Sequence, residues 1–450
     1  MKTDLFEKAS VPKAYFTFAL PVVLSMVVSL VYNMVDTYFI SLTGETNLIA
    51  GVALCAPVFT LMLALGDIFG LGGSSLISRL LGHKEPEKAR KVSAFCYCIS
   101  ILCGVAVAAV MLVFTEPILS LLGADSDTVS YAREYYTGLV WGAPAIIFSL
   151  VPSNLLRTEG LAKESMAGNM IGTVANIILD PLFIFGLGMG AAGAAVATVI
   201  GNVCADIFFV WITHKKSHQL SFSPKLCRIT RKQIGQIMVI GIPASITNLM
   251  QSVGVMLMNR YLLPYGSDCI AAMGIVLKIT MIAVLVLVGF SFGAQPLFGY
   301  HYGAGNTNRL WKILRFAYGF EGALALVLTA ILALLAPQLT SLFLKGQALV
   351  GMATEMLQWQ VSSMVFVAVG LVTTCLFQSM GQALGAFLLS ISRQGVLFAL
   401  AVSVGSALGG YTGVIIAQPV ADVLTALLAV ALLVMVISSE RKKLVLGKET

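Results

Sequence analysis

The sequence predicts an all-α polytopic membrane protein with twelve transmembrane helices, arranged as two six-helix halves related by a parallel repeat. Three observations predict it: apolar runs of spanning length, basic residues gathered in alternate connections, and motifs that recur at a fixed offset. Of 450 residues, 58% are hydrophobic and 11% charged, against roughly 25% charged in soluble domains. So few charges cannot form a polar shell at this length. Crossing the hydrocarbon layer takes about 20 apolar residues in a helix, and only helices or closed barrels satisfy their backbone there. Continuous runs such as Ile313 to Leu335 lack the alternation of a barrel strand.

Apolar runs bounded by charge, Gly and Pro place six spans near 14–41, 48–78, 92–114, 130–156, 164–186 and 190–213. Six more fall near 233–263, 268–300, 311–336, 348–377, 384–407 and 411–438. The first ten residues are mixed in charge and the first apolar run is full length, so a spanning helix is expected there, not a cleavable signal. Pro21, Pro57, Pro181, Pro243, Pro296 and Pro419 lie within or at the ends of spans, where they bend or interrupt helices.

The basic residues give an orientation. Of 28 Lys and Arg, 24 fall on the side of the N-terminus and the even-numbered connections, with Arg393 assigned to the tenth-to-eleventh connection. Arg133, Arg260 and Lys345 fall on the other side, and Lys278 lies inside a span. The positive-inside rule then expects both termini in the cytoplasm. This placement also explains the net charge of +7 without a nucleic-acid partner. The eight cysteines are scattered and form no CxxC pair, so buried apolar thiols are expected rather than a metal site or disulfide frame.

The halves align at an offset of 221 or 222 residues. Pro21 and Gly44 are 23 apart, as are Pro243 and Gly266; Gly72 and Gly82 are ten apart, as are Gly293 and Gly303. Arg157-Thr158-Glu159-Gly160 matches Gln378-Ser379-Met380-Gly381. The expected organisation is a first bundle over 1–213, a basic linker over 214–232, a second bundle over 233–438 and a basic tail over 439–450. Six spans per half keep both halves in the same sense, a plan of secondary transporters that hold substrate between them.

Two carboxylates lie at membrane depth, where a charge needs a partner, a proton or water. Asp36 sits on the first span, four residues from Tyr32, and Asp180 on the fifth, four from Asn176, so each pair shares a helix face. Thr198 on the sixth span adds a hydroxyl. Two acids, an amide and a hydroxyl form an oxygen-rich set for a small cation, sodium included, or a pair of proton carriers. Either acid alone could instead cap a broken helix. The repeat offers no counterpart: Met258 and Ala401 stand at the matching positions. An asymmetry inside a repeat points to a task in one half.

Lys278, Glu321, Asp422, Asp67 and Asp206 also fall in spans, and only Lys278 is set apart as a cavity candidate. Arg79, Arg157, Glu159, Lys163 and Glu164 sit near span ends, where they anchor helices or form an inner gate. The 19 methionines include Met34 and Met258 among many in spans, side chains that suit a pocket for varied apolar shapes.

The residues that read Val35-Asp36-Thr37-Tyr38-Phe39-Ile40 and Asn176-Ile177-Ile178-Leu179-Asp180-Pro181-Leu182-Phe183-Ile184-Phe185-Gly186 are familiar, as is Gly188 to Ala195 leading to Thr198. From Pro21 to the last span the chain resembles the multidrug and toxic compound extrusion (MATE) family. The resemblance implies a V-shaped pair of bundles that exports cationic amphipathic drugs in exchange for sodium ions or protons. It implies a cation site at Asp36, Asp180, Asn176 and Thr198, with Tyr32 beside it. Asn33, Met34, Gln251, Met258 and Lys278 are the expected cavity residues. Gln251 stands where the NorM-type branch has a seventh-span glutamate, which favours the DinF-type branch with coupling in the first half alone.

No HExxH, P-loop or nucleophilic triad appears, and the four histidines are assigned to basic loops, so an enzyme is not expected. No cofactor is expected beyond the coupling ion. The partners expected are small cationic drugs and membrane lipid, the setting is the plasma membrane, and the working unit is a monomer. A lipid-linked saccharide flippase is the alternative, disfavoured by the scarcity of basic residues in the spans.

Overall fold

The computed structural model describes residues 3–446, so positions 447–450 of the expected tail lie outside the described residues. Among these, nine helical stretches are long and apolar enough to cross a membrane, and two bent pairs raise the count to eleven. The last stretch, Ala383–Ser438, is 56 residues long. It turns at Gly410, where φ is 55° and ψ −130°. Beyond the turn Gly405 meets the backbone of Gly413, so the chain doubles back on itself. Twelve crossings result, in two bundles of six.

The repeat is written into the backbone. Left-handed φ values recur at Gly44 and Gly266 (70° and 104°) and at Gly160 and Gly381 (82° and 76°). Lys84 takes 60° where the second half has Gly305 at 65°. The fourth span, Val129–Trp141 with Ala143–Thr158, bends by 51°, and the tenth, Gln347–Ser362 with Met364–Met380, by 42°. Their breaks fall at Gly142 and Ser363, 221 residues apart. Short helices Thr115–Leu121 and Ala336–Ser341 follow the third and ninth spans at the same offset.

Local chemistry sets the ends. The second half starts behind a capping box in which Thr230 and Gln233 satisfy each other's backbone N–H, opening the helix Arg231–Leu262. Asn306 caps Thr307–Leu334 by accepting from the Arg309 N–H at 3.1 Å. The connection between halves is folded down rather than loose. The Gln219 N–H donates to Glu159 at 2.5 Å and the Ser221 N–H to Ser93 at 3.0 Å. Phe222 stacks on Tyr97 with ring centroids 4.0 Å apart. Burial on this strap raises the Glu159 carboxyl above its ordinary range.

The halves meet on the basic face. There a single apolar core takes residues from both, including Phe6, Tyr15, Phe18, Ile77, Ile237, Phe298 and Ile313. On the opposite side each half has its own: Ile40, Met62, Tyr136 and Ile184 in the first, Met258, Val276, Leu357 and Val414 in the second. Two bundles joined at one end and separately packed at the other diverge as a V. Backbone meets backbone at the joint: a Cβ on Gly82 would lie 2.2 Å from Tyr300 O, and one on Gly293 2.3 Å from Ala19 Cα. Small residues permit such approach between membrane helices.

Polar groups close the same joint. Tyr15 OH donates to Glu321 Oε1 at 2.7 Å, and Ser291 Oγ to its other oxygen at 2.6 Å. Ser75 donates to Gln378 O, and Arg79 Nη1 reaches Met380 O at 3.5 Å. Tyr300 OH donates to Glu7 at 2.8 Å, and His301 Nε2 lies 3.1 Å from Phe6 O. His301 is therefore not a loop residue. It is 1% exposed, in the last turns of Ser267–Gly303.

Gly82→Val should wedge the joint open. A cysteine placed at Ser379, fully buried there, should gain reactivity toward a water-soluble maleimide when valine is present at position 82. A shift of about 1.4 kcal/mol would raise labelling about tenfold; equal labelling with and without the valine would refute the packing described.

Candidate functional site

Asp36 and Asp180 come together in the first half, in the part of the bundle away from the joint. Asp36 lies near the end of the first span, Val11–Ser41, and Asp180 near the end of the fifth, Ala162–Pro181. Pro181 carries no N–H, which frees the Ile177 carbonyl, and the chain widens into a π-turn over Leu182–Gly186. The Leu187 N–H then closes on Leu182 O at 2.9 Å. Asp180 is fully buried at this discontinuity and lies within electrostatic reach of Asp36.

Gly172 and Gly201 let the fifth and sixth spans touch, for a Cβ on Gly201 would sit 2.7 Å from Gly172 O. That approach brings Asn176 to Thr198. Asn176 Nδ2 donates to Thr198 Oγ1 at 3.3 Å, Tyr32 OH lies 3.4 Å from the same oxygen, and Thr198 donates to Ala194 O at 3.0 Å. The threonine hydroxyl is thus filled on every side. It orients Asn176 and Tyr32 rather than offering a spare lone pair. Asp36 and Asp180 face each other at hydrogen-bonding range, and apart from that contact Asn176 Oδ1, both Asp180 oxygens and Asp36 Oδ1 are buried with no donor. Four oxygens left without donors in a buried site are a seat for positive charge. Among the described residues no group of three or more His, Cys, Asp or Glu forms a metal site, and the oxygen donors here fit a hard monovalent cation or protons.

The sequence brought Asp36, Asp180, Asn176, Thr198 and Tyr32 forward, and the fold assembles all five. It missed Tyr135, buried on the fourth span within electrostatic reach of Asp36, Tyr32 and Asp180. It also missed Asn202, one turn below Thr198, which donates to Thr198 O at 2.8 Å and accepts from Ser149 at 3.1 Å. Spacing held a signal for Asn202, four residues after Thr198; Tyr135 had none.

The cavity residues divide. Asn33, Met34, Gln251 and Lys278 are exposed on the first, seventh and eighth spans. Met258 is not on a wall: at 3% exposure it packs into the core of the second half. The helix phase turns it inward, a consequence that an offset-based alignment with Asp36 could not reveal. Arg393 also needs correction. Its helix begins at Ala383, so it lies about 15 Å up the eleventh span and not in the connection before it. A cavity of about 490 Å³ opens at the joint, lined by Glu7, His83, Lys84, Tyr300, His301 and Asn306 among others, away from the two acids.

Twelve spans in two bundles, joined at one face and holding an unsatisfied acid site in one half, define a membrane transporter of the two-bundle class. The MatE family model matches residues 21–182 and 243–403, in the register of the repeat, and the chain belongs to that family. It is 32% identical to the multidrug export protein MepA of Staphylococcus aureus (strain NCTC 8325 / PS 47) over 424 residues, covering 94% of each chain. The MepA of Staphylococcus saprophyticus is equally similar, at 32% over 424 residues and 94% of each chain. Among solved structures, a MATE transporter in complex with MaD3S superposes with a TM-score of 0.92 at 27% identity, covering 98% of this chain and 99% of that one. An outward-facing multidrug resistance MATE family transporter gives 0.92 at 26% over 98% and 99%.

Proposed function

We propose that this protein exports cationic amphipathic drugs across the plasma membrane in antiport with sodium ions or protons, as a monomer with both termini in the cytoplasm. Similarity to multidrug export proteins supports the substrate class. The observation that carries the coupling is the buried pair of acids, Asp36 and Asp180, facing each other beside the Asn176 amide oxygen with no other donor to them. With the basic face cytoplasmic, the V opens outward.

The proposed cycle follows from electrostatics. Two carboxylates at membrane depth repel and attract a cation from outside. Its arrival cancels the repulsion and draws the first and fifth spans together, which alters the wall offered to the drug. The drug leaves because its affinity differs between the two arrangements. Opening the joint at Glu321, Arg79 and Gln378 then lets the cation leave inward. Thr198 and Asn202 hold the amide in place throughout. Gln251 carries no charge, which restricts coupling to the first half, as in the DinF-type branch.

Ethidium efflux from vesicles, with sodium and pH gradients imposed separately, tests the reading. Efflux should follow one gradient and fall to background, at least tenfold, in Asp36→Asn and in Asp180→Asn, while both variants insert normally. Full efflux in Asp36→Asn would sink it, and absence of gradient-driven efflux in the native protein would favour a flippase. Gln251→Ala should keep the native ion dependence of the same efflux; its loss would locate a second coupling site on the seventh span.

A further inference from the structure

The second half contains a buried charge pair that the proposed coupling leaves unused. Asp422, 3% exposed on the twelfth span, accepts from Arg393 Nε at 2.9 Å and from Gln418 Nε2 at 3.1 Å on one oxygen. Its other oxygen accepts from Ser363 Oγ at 2.7 Å. The Arg393 side chain is 22% exposed. It issues from a π-turn over Ser392–Val396, and Ser363 stands at the break of the tenth span.

This network shares several parts with the acid site of the first half. Gln418 precedes Asp422 by four residues, as Asn176 precedes Asp180. Asp180 directly precedes Pro181 and Asp422 lies one turn after Pro419, and each site has an aliphatic hydroxyl, from Thr198 or Ser363. Each half also places a π-turn in its fifth span, over Leu182–Gly186 or Ser392–Val396. The difference lies in what faces the acid: a second carboxyl, Asp36, in the first half and a guanidinium, Arg393, in the second. In the first half Asp180 faces that carboxyl and accepts from no amide, hydroxyl or guanidinium. In the second, both oxygens of the acid are satisfied, one of them by a guanidinium.

We propose that the Asp422 network is a cation site whose cation is the chain's own Arg393, so that ion exchange is confined to the first half. A buried ion pair gives little net stability compared with apolar residues of like size, yet removing one partner is severe. An ionisable pair kept at membrane depth therefore has a use beyond cohesion. A tethered guanidinium holds the acid neutralised through every step of the cycle and bars a small hard cation, sodium or proton, from it. Removing it exposes a carboxylate, an amide and a hydroxyl with no counter-charge, and the site takes up one mobile cation. The proposal deepens the first-half coupling reading and rests on it.

The test uses the purified full chain in lipid nanodiscs. Arg393→Gln should hold one cation more than the native protein. If that cation is a proton, infrared spectra show a new protonated-carboxyl band that disappears in Arg393→Gln/Asp422→Asn. If it is sodium, radioactive sodium binding rises by one equivalent, again abolished by the second change. An Arg393→Gln protein with neither the band nor the extra sodium overturns the proposal. The apolar pair Arg393→Leu/Asp422→Leu keeps the site neutral and should retain gradient-driven efflux within about twofold of native; a folded double variant without ion-driven efflux would also overturn it, since the pair would then take part in exchange. Asp36→Asn, measured in parallel, reports on the first-half reading alone, so the two ideas fail separately.

Discussion

The cost of an unpartnered polar group in a medium without water orders this structure. Among the named intramembrane charges of the second half, Glu321 and Asp422 have donors on both oxygens. Against that background the oxygens of Asp36, Asp180 and Asn176 gather in one place with no donor from the surrounding side chains. They are not a defect of packing, since Asn202 and Thr198 around them are fully bonded. The site is built to hold its acceptors open, with the fifth span widened at Pro181 and the amide turned by a threonine.

The same constraint explains why the halves are joined where they are. Backbone contacts at Gly72, Gly82, Gly241, Gly293 and Gly303 place the halves nearly carbonyl to Cα on the basic face. Such contacts rest on dispersion and a few hydrogen bonds, each worth about a kilocalorie per mole or so net. A joint of many weak contacts is tight as a whole and still reversible, which a single buried ion pair across the seam would not be. The Arg393–Asp422 pair, its acid side chain 2% exposed, lies inside one half, where nothing has to separate.

Much of the fold was legible because membrane burial writes a coarse code. Span length, basic connections and the offset of Pro21–Gly44 to Pro243–Gly266 were enough for twelve helices and two halves, and the left-handed turns at Gly160 and Gly381 fall in that register. The acid site was legible through helical spacing and through resemblance. Met258, Arg393 and His301 were misplaced for one reason: hydropathy locates a span but not its phase or its ends. Arg393 was drawn into a connection because a guanidinium in a span is improbable until its acid, 29 residues on, is known. Tyr135 and Glu321 meet their partners across spans, a relation that one-dimensional spacing does not encode.

The asymmetry of charge within a symmetric backbone bears on how such a transporter moves. Both halves bend at Gly142 or Ser363 and both contain a π-turn, so either could flex. Flexing driven by an ion requires a site whose net charge changes between states. On the proposed reading the first half has one, because Asp36 and Asp180 face each other with no other donor. At Asp422 in the second half, on the same reading, the guanidinium travels with its acid and the charge at that site stays constant. A rocking pair of bundles would then have one half that responds to the ion and, in the other, an Asp422 site that does not. Two responsive halves would admit ions independently, and an ion bound in one without the other would dissipate the gradient without moving a drug.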